Sequence, residues 1–217
     1  MSDSNSPPKC PPPFTVEDNV PIFRPSIQEL QNFPFYLRQI RTVGAHYGIV
    51  KLIPPKQTLN NKSKLAIYAP VLQLPEGRNG IFQIQPKPIC QSLSLQKFSH
   101  LNEAIESLRS PKEHQLKFSK NYNDLERQFW KTIGLSTPIY GADSPGSLTQ
   151  NKNFSISHLK TLLDILPPIP GVNKSMLYFG TWKSCFCWHT EDMDLFSINY
   201  LLIGEQKQWY FIPPSQT

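Results

Sequence analysis

The stretch from Trp188 to Asp194, WHTEDMD, breaks an apolar and aromatic run, MLYFGTWKSCFCWHTEDMDLFSINYLLIGEQKQWYFIPP, with an imidazole and a carboxylate two residues apart. Burying such a pair is costly unless something uses it. Successive side chains on a strand point to opposite faces, so on a strand His189 and Glu191 share one face, about 7 Å apart along the backbone. They supply two of the three ligands of a facial triad. A second histidine from another strand completes a set that holds Fe(II) and leaves positions open for substrate and oxygen. H-x-E by itself is a short pattern that chance produces often. The interruption of an apolar strand is the more specific signal.

The residues that follow offer a second chemical group. If Gly204, Glu205 and Gln206 form a three-residue loop, then Asn199, Leu201, Lys207 and Trp209 fall on one face. A two-residue loop puts Asn199 and Lys207 on opposite faces. A buried lysine needs an anion, which a carboxylate-bearing cosubstrate provides; a solvated hairpin lysine needs none. Cys185 and Cys187 alternate with Phe186 on the His189 face. The C-x-C spacing invites a metal reading, against which stands plain packing of two small thiols.

These groups need a scaffold. The 217 residues suffice for one sizeable core, and the lean 39% hydrophobic content owes much to 22 prolines. No run approaches the roughly 18–20 apolar residues of a membrane span. The start, MSDSNSPPKCPPPF, lacks a signal peptide's apolar segment, so a soluble intracellular protein is expected. A net charge of +6 and a pI near 9.1 suit nucleic acid or chromatin, but many ordinary domains are as basic. Cys10, Cys90, Cys185 and Cys187 have neither disulfide-like nor zinc-finger spacing, and reduced thiols are expected.

Along the chain, residues 1–20 are rich in Pro and Ser and read as a disordered leader. In PIFRPSIQELQNFPFYLRQI, Ser26 and Glu29 have capping-box spacing, and Ile27, Leu30, Leu37 and Ile40 recur at helical intervals. Pro34 kinks that helix or opens a new turn. GIVKLIPP reads as a short strand, and residues 56–92 as irregular connection with short strands. SLQKFSHLNEAIESL and NDLERQFWKTIG read as amphipathic helices, as does SISHLKTLLDIL, which stops before Pro167 and Pro168. Beyond Gly171, MLYFG, FCWHT, LFSINYLLI and KQWYFIP read as strands. A helical front end thus leads into an antiparallel β region.

On these residues the chain resembles the Jumonji histone lysine demethylases. YFGTWKSCFCWHTEDMDLFSINYLLIGEQKQWYFIPP looks like their JmjC core, and PIFRPSIQEL…GAHYGIVKLIPP like the JmjN segment. LERQFWK…PIYGAD is similar to the linker of the subfamily acting on trimethylated lysines nine and thirty-six of histone H3. The resemblance implies an α+β fold in which a helical JmjN-like front end leads into an incomplete double-stranded β-helix of the jelly-roll or cupin kind. It divides the chain into the leader, a JmjN-like segment over 21–56, a mixed helical linker over 57–140, and the first part of a JmjC domain over 141–217.

Carried over residue by residue, the resemblance implies that His189 and Glu191 ligate Fe(II). Tyr140, Asn199 and Lys207 would hold 2-oxoglutarate, with Trp209 walling that pocket. Gly171 and Tyr178 would line the methyl-ammonium pocket, and Asp143 would lie near the histone tail. The cosubstrate is oxidised to succinate and CO2, and a hydroxylated N-methyl group leaves as formaldehyde. A methylated histone H3 tail, chromatin and a nuclear location are implied; no sequence-specific contact to nucleic acid is evident. The family places its second metal histidine and a structural zinc site further downstream, whereas His46, His100, His114 and His158 all precede the motif. The 217 residues alone are therefore expected to be inactive and poorly stable. Met176, where an aromatic residue is usual, and Pro170, where an acidic one is usual, bear on which methyl-lysine is taken. The alternatives are a catalytically silent, truncated Jumonji protein that binds chromatin, and a Jumonji-fold hydroxylase acting elsewhere; the JmjN-like segment argues against the latter.

Overall fold

The structure is a computed structural model and describes residues 11–55, 66–89, 91–107, 122–146 and 161–216. They divide between two compact units, drawn from Met1–Asn60, Ser147–Pro168 and Ile198–Thr217, and from Asn61–Gly146 and Ile169–Ser197. No helix among the described residues is long and apolar enough to cross a membrane.

The first unit is built on a hairpin. Strand β1 (Phe14–Glu17) pairs antiparallel with β2 (Val20–Phe23), from Phe14 opposite Phe23 to Glu17 opposite Val20. The turn residues Asp18 and Asn19 both have positive φ, 50° and 61°, the backbone that matches the twist of a two-residue hairpin. The disordered-leader reading is thus corrected over its last third: Phe14–Glu17 is paired with β2, and Asp18–Asn19 is the turn signal. Residues 1–10 lie outside the described residues.

Helix α1 (Ile27–Gln31) starts on the expected capping box. The Ser26 hydroxyl accepts from the Glu29 amide at 3.3 Å, and the Ser26 amide donates to the Glu29 carboxylate at 2.7 Å. Pro34 opens a new helix, α2 (Phe33–Tyr47), in whose first turn its missing N–H costs nothing. Phe33, Tyr36 and Ile40 share one face and bury themselves with Leu30 of α1 and Phe23 of β2. Burial, with Glu29 nearby, pushes the Tyr36 phenol up to about 12. Gly48 ends α2 with φ 81°, and its amide donates to the Gly44 carbonyl at 2.8 Å. Strand β3 (Lys51–Leu52) then pairs parallel with β2.

The second unit holds a two-stranded pair and a four-stranded sheet. Strand β4 (Ala66–Ile67) pairs with β7 (Leu93–Ser94). Strands β5 (Val71–Arg78), β6 (Ile81–Pro88), β8 (Ile139–Pro145) and β9 (Met176–Gly180) form an antiparallel sheet in the order β6-β5-β8-β9. The expectation of irregular connection with short strands over 56–92 holds for the two-residue β4 but gives way over 71–88 to two eight-residue strands; residues 56–65 and 90 lie outside the described residues. Asn79–Gly80, with φ 55° and 79°, makes the tight turn between them. Pro86 and Pro88 fit because β6 is an edge strand. Helices α3 (Leu95–Ser107) and α4 (Tyr122–Thr132) lie where amphipathic periodicity puts them. Of the third expected helix only a 3-10 turn, Leu162–Ile165, is seen; residues 147–160 lie outside the described residues.

The expected strands FCWHT, LFSINYLLI and KQWYFIP are not strands. Residues 181–216 carry no ladder pairing among the described residues, only 3-10 turns at Asp192–Asp194 and Pro214–Gln216. β-propensity prepares a segment for pairing, but a strand exists only when a neighbour supplies its donors and acceptors.

Replacing Ser26 by Ala is expected to cost about 1 kcal/mol of stability through the lost cap. Gly48→Ala should cost roughly 1–2 kcal/mol from left-handed strain, aggravated because a Cβ there meets Pro214 Cδ at 3.0 Å. Urea-unfolding midpoints of the two variants check both.

Candidate active site

Strand β8 departs from its register with β9 between Gly141 and Ser144. Asp143 sits in this bulge with φ 52°, a conformation aspartate tolerates better than most residues. Gly141 is required next to it, since a Cβ would collide with the Ile67 side chain. The bulge turns Asp143 toward β9, where the Tyr178 hydroxyl donates to its Oδ1 at 3.0 Å. The Tyr140 and Tyr178 rings stack with centroids 6.4 Å apart. Burial first, then Asp143, then Cys185 push the Tyr140 phenol up to about 12. Tyr178 is raised further, first by burial, then by the Asp143 hydrogen bond and charge, then by Tyr140 and Glu191. Both phenols remain neutral and present oxygens. Gly171, with φ 79°, lies in a separate turn and donates its amide to the Lys174 carbonyl at 3.1 Å.

After β9 the Thr181 amide still bonds the Ile139 carbonyl at 3.1 Å, and the chain is then held by single side chains. The Thr181 hydroxyl accepts from the Ile139 amide at 2.9 Å and donates to the Ile139 carbonyl at 3.3 Å. Lys183, 6% exposed and left-handed at φ 69°, donates its ammonium to the Thr132 carbonyl at 3.1 Å. There it meets the negative end of α4. Gln73 of β5, 5% exposed, donates from Nε2 to the Cys185 carbonyl at 2.6 Å and accepts the Cys185 amide on Oε1 at 2.9 Å. The free thiol of Cys185 is half-buried and pushed up to about 11 by burial and then by Cys187.

His189 and Glu191 follow. Contrary to the strand reading they are half-exposed, 49% and 46%, on an unpaired segment, yet Nε2 and Oε1 stand 4.0 Å apart. His189 Nδ1 lies 2.7 Å from the Cys187 carbonyl. A carbonyl can only accept, so Nδ1 carries the proton, and in the neutral ring Nε2 keeps a lone pair facing Glu191. That is how a metal-binding histidine is normally prepared. Two donors on one ion stand closer than 4.0 Å, so the pair lies near ligand spacing without being at it. Among the described residues no group of three or more His, Cys, Asp or Glu is placed to hold a metal. His189 and Glu191 stand together as a pair, with the Cys187 carbonyl on the other ring nitrogen of His189.

Asn199, Lys207 and Trp209 belong to the other unit. Lys207 Nζ donates to Asn199 Oδ1 at 3.4 Å and lies 5.2 Å from the Trp209 ring centroid. The three lie together although no hairpin pairs the segments that carry them among the described residues. Burial lowers the Lys207 pKa, which raises the value of an anionic partner. Of the residues singled out in the sequence, the structure thus gathers Tyr140, Asp143 and Tyr178; pairs His189 with Glu191; and gathers Asn199, Lys207 and Trp209. Gln73, Thr181 and Lys183 escaped sequence reasoning. The one available signal was a polar Gln73 between Leu72 and Leu74.

Residues 176–217, which include β9 and the His189–Glu191 segment, match the family described as "JmjC domain, hydroxylase". Residues 21–54, which span β2, α1, α2 and β3, match the jmjN domain. The chain thus joins a jmjN match to a JmjC match. It is 39% identical over 209 residues to rat lysine-specific demethylase 4D (Rattus norvegicus), covering 90% of this chain and 39% of that protein. It is 41% identical over 208 residues to mouse lysine-specific demethylase 4B (Mus musculus), covering 88% and 18%. It is 37% identical over 215 residues to human probable lysine-specific demethylase 4F (Homo sapiens), covering 93% and 32%. The chain therefore spans less than two fifths of the length of these curated relatives.

Because the Tyr140 phenol is raised from 10.0 to about 12, its contribution to stability is complete below pH 10 and is lost as pH climbs toward 12. Tyr140→Phe should flatten that alkaline decline, which is measurable as unfolding midpoint against pH.

Proposed function

We propose that this chain carries the jmjN segment and the metal-bearing loop of an Fe(II)- and 2-oxoglutarate-dependent lysine demethylase that acts on a methylated histone H3 tail in the nucleus. The observation that carries the reading is the His189 imidazole, protonated at Nδ1 by its bond to the Cys187 carbonyl and open at Nε2 beside Glu191. The JmjC match, and relatives named as lysine-specific demethylases, support it. Bound by His189 and Glu191, Fe(II) would supply the activation of dioxygen that hydroxylating a methyl group needs.

The other residues bind and orient. The Lys207 ammonium, steered by Asn199 and set against Trp209, would pair with the distal carboxylate of 2-oxoglutarate, and Tyr140 would donate its neutral phenol to the same cosubstrate. Tyr178, its hydroxyl proton committed to Asp143, turns oxygen lone pairs toward the polarised methyl groups of a quaternary ammonium, with Gly171 contributing backbone carbonyl oxygen. The Asp143 carboxylate adds negative charge near a basic tail. The lack of a third metal ligand among the described residues favours a second reading, a chromatin-binding chain without turnover.

The full gene product, given Fe(II), 2-oxoglutarate and trimethylated histone H3 peptides, should release formaldehyde. His189→Ala should lower that rate more than about a hundredfold, beyond the 10–100-fold typical of disturbing a ligand's hydrogen-bond partner. Lys207→Ala should raise KM for 2-oxoglutarate about 10–100-fold, the loss of one charge-assisted hydrogen bond. Peptide binding without formaldehyde would select the non-catalytic reading. Neither binding nor turnover would refute both.

A further inference from the structure

The His189–Glu191 segment has no strand partner among the described residues, but it is not loose at its root. The Gln73 side chain meets the Cys185 peptide in two antiparallel hydrogen bonds, Nε2–H to the carbonyl at 2.6 Å and the amide to Oε1 at 2.9 Å. This reproduces the two-bond exchange of a residue pair in an antiparallel ladder, with a side-chain amide in place of a neighbouring peptide. The holder is itself fixed. Gln73 lies in β5 with its own amide on the Pro138 carbonyl at 2.9 Å, and it is 5% exposed, where an unpaired amide is costly. Two residues beyond Cys185, the Cys187 carbonyl receives His189 Nδ1.

We infer that Gln73 is the positioning residue of the metal loop: its side chain substitutes for a missing ladder neighbour and fixes the backbone from which His189 and Glu191 project. The inference deepens the metal reading of those two residues and rests on it for its functional consequence. The chemistry selects glutamine. A carboxylate accepts the Cys185 amide but cannot donate to the carbonyl, leucine does neither, and asparagine is one methylene short of reaching from β5. Thr181 and Lys183 pin the same segment nearer β9, so removing Gln73 should free the Cys185–Glu191 end while leaving the sheet in place.

The test uses the full gene product with Gln73→Leu, and with Gln73→Glu alongside as the variant that keeps size and one of the two bonds. Hydrogen exchange read by mass spectrometry should show residues 185–191 losing protection in Gln73→Leu and partly in Gln73→Glu, while β5 and β8 exchange as in the parent. Co(II) affinity, measured by direct titration without turnover, should fall about tenfold in Gln73→Leu. Unchanged protection over 185–191 in both variants would overturn the inference. So would lost protection with unchanged Co(II) affinity, since the clamp would then hold the loop without setting its ligands. A parent protein that binds no Co(II) would instead overturn the metal reading, while the exchange comparison would still judge the clamp.

Discussion

Every peptide group that leaves a sheet must find a partner or face water, and that constraint shapes the part of this chain that could do chemistry. Beyond Thr181, whose amide still bonds the Ile139 carbonyl, the backbone as far as Cys185 carries no ladder pairing among the described residues, yet it is held at every second residue. Thr181 trades bonds with Ile139, Lys183 caps the end of α4, and Gln73 completes the Cys185 peptide. These contacts reach three different elements. They place the segment largely with side chains, and leave the residues beyond it, His189 and Glu191 among them, half-exposed.

The same logic accounts for the charged and strained residues around the segment. Lys183 is buried because a helix end supplies its counter-dipole. Asp143 accepts a left-handed backbone because the bulge it makes aims its carboxylate at Tyr178. Gly141 is needed because Ile67 occupies the space of a side chain. Each is a local cost tied to positioning a functional oxygen or nitrogen. In the first unit α1, α2 and β2 bury Phe23, Leu30, Phe33, Tyr36 and Ile40 against one another, with a capping box at Ser26 and a left-handed Gly48 closing α2.

Much of this was legible in the sequence where local rules govern. The Ser26–Glu29 box, the new start at Pro34, the amphipathic helices around Phe98 and Phe129, and the strand at Met176 follow from spacing and turn chemistry. Reading failed where a partner decides. LFSINYLLI has every mark of a strand and pairs with nothing described, because alternation says which face a residue prefers and not whether a neighbour is there. It also failed where turn residues were given too little weight: Asp18–Asn19 and Asn79–Gly80 each announced a hairpin. The H-x-E pair was recognisable as chemistry, but the side chains supporting it were not. A glutamine between two leucines of a strand carries no mark of the loop it holds over a hundred residues away.

X-ray absorption at the cobalt edge of the Co(II)-loaded full gene product reads directly which atoms of the proposed His189–Glu191 site meet a metal. The predicted shell contains imidazole nitrogen together with oxygen and no sulfur, with the imidazole signal diminished in His189→Ala. A shell with thiolate sulfur would give the metal to Cys185 and Cys187. A shell of oxygen alone would take it away from His189. Either would contradict the account.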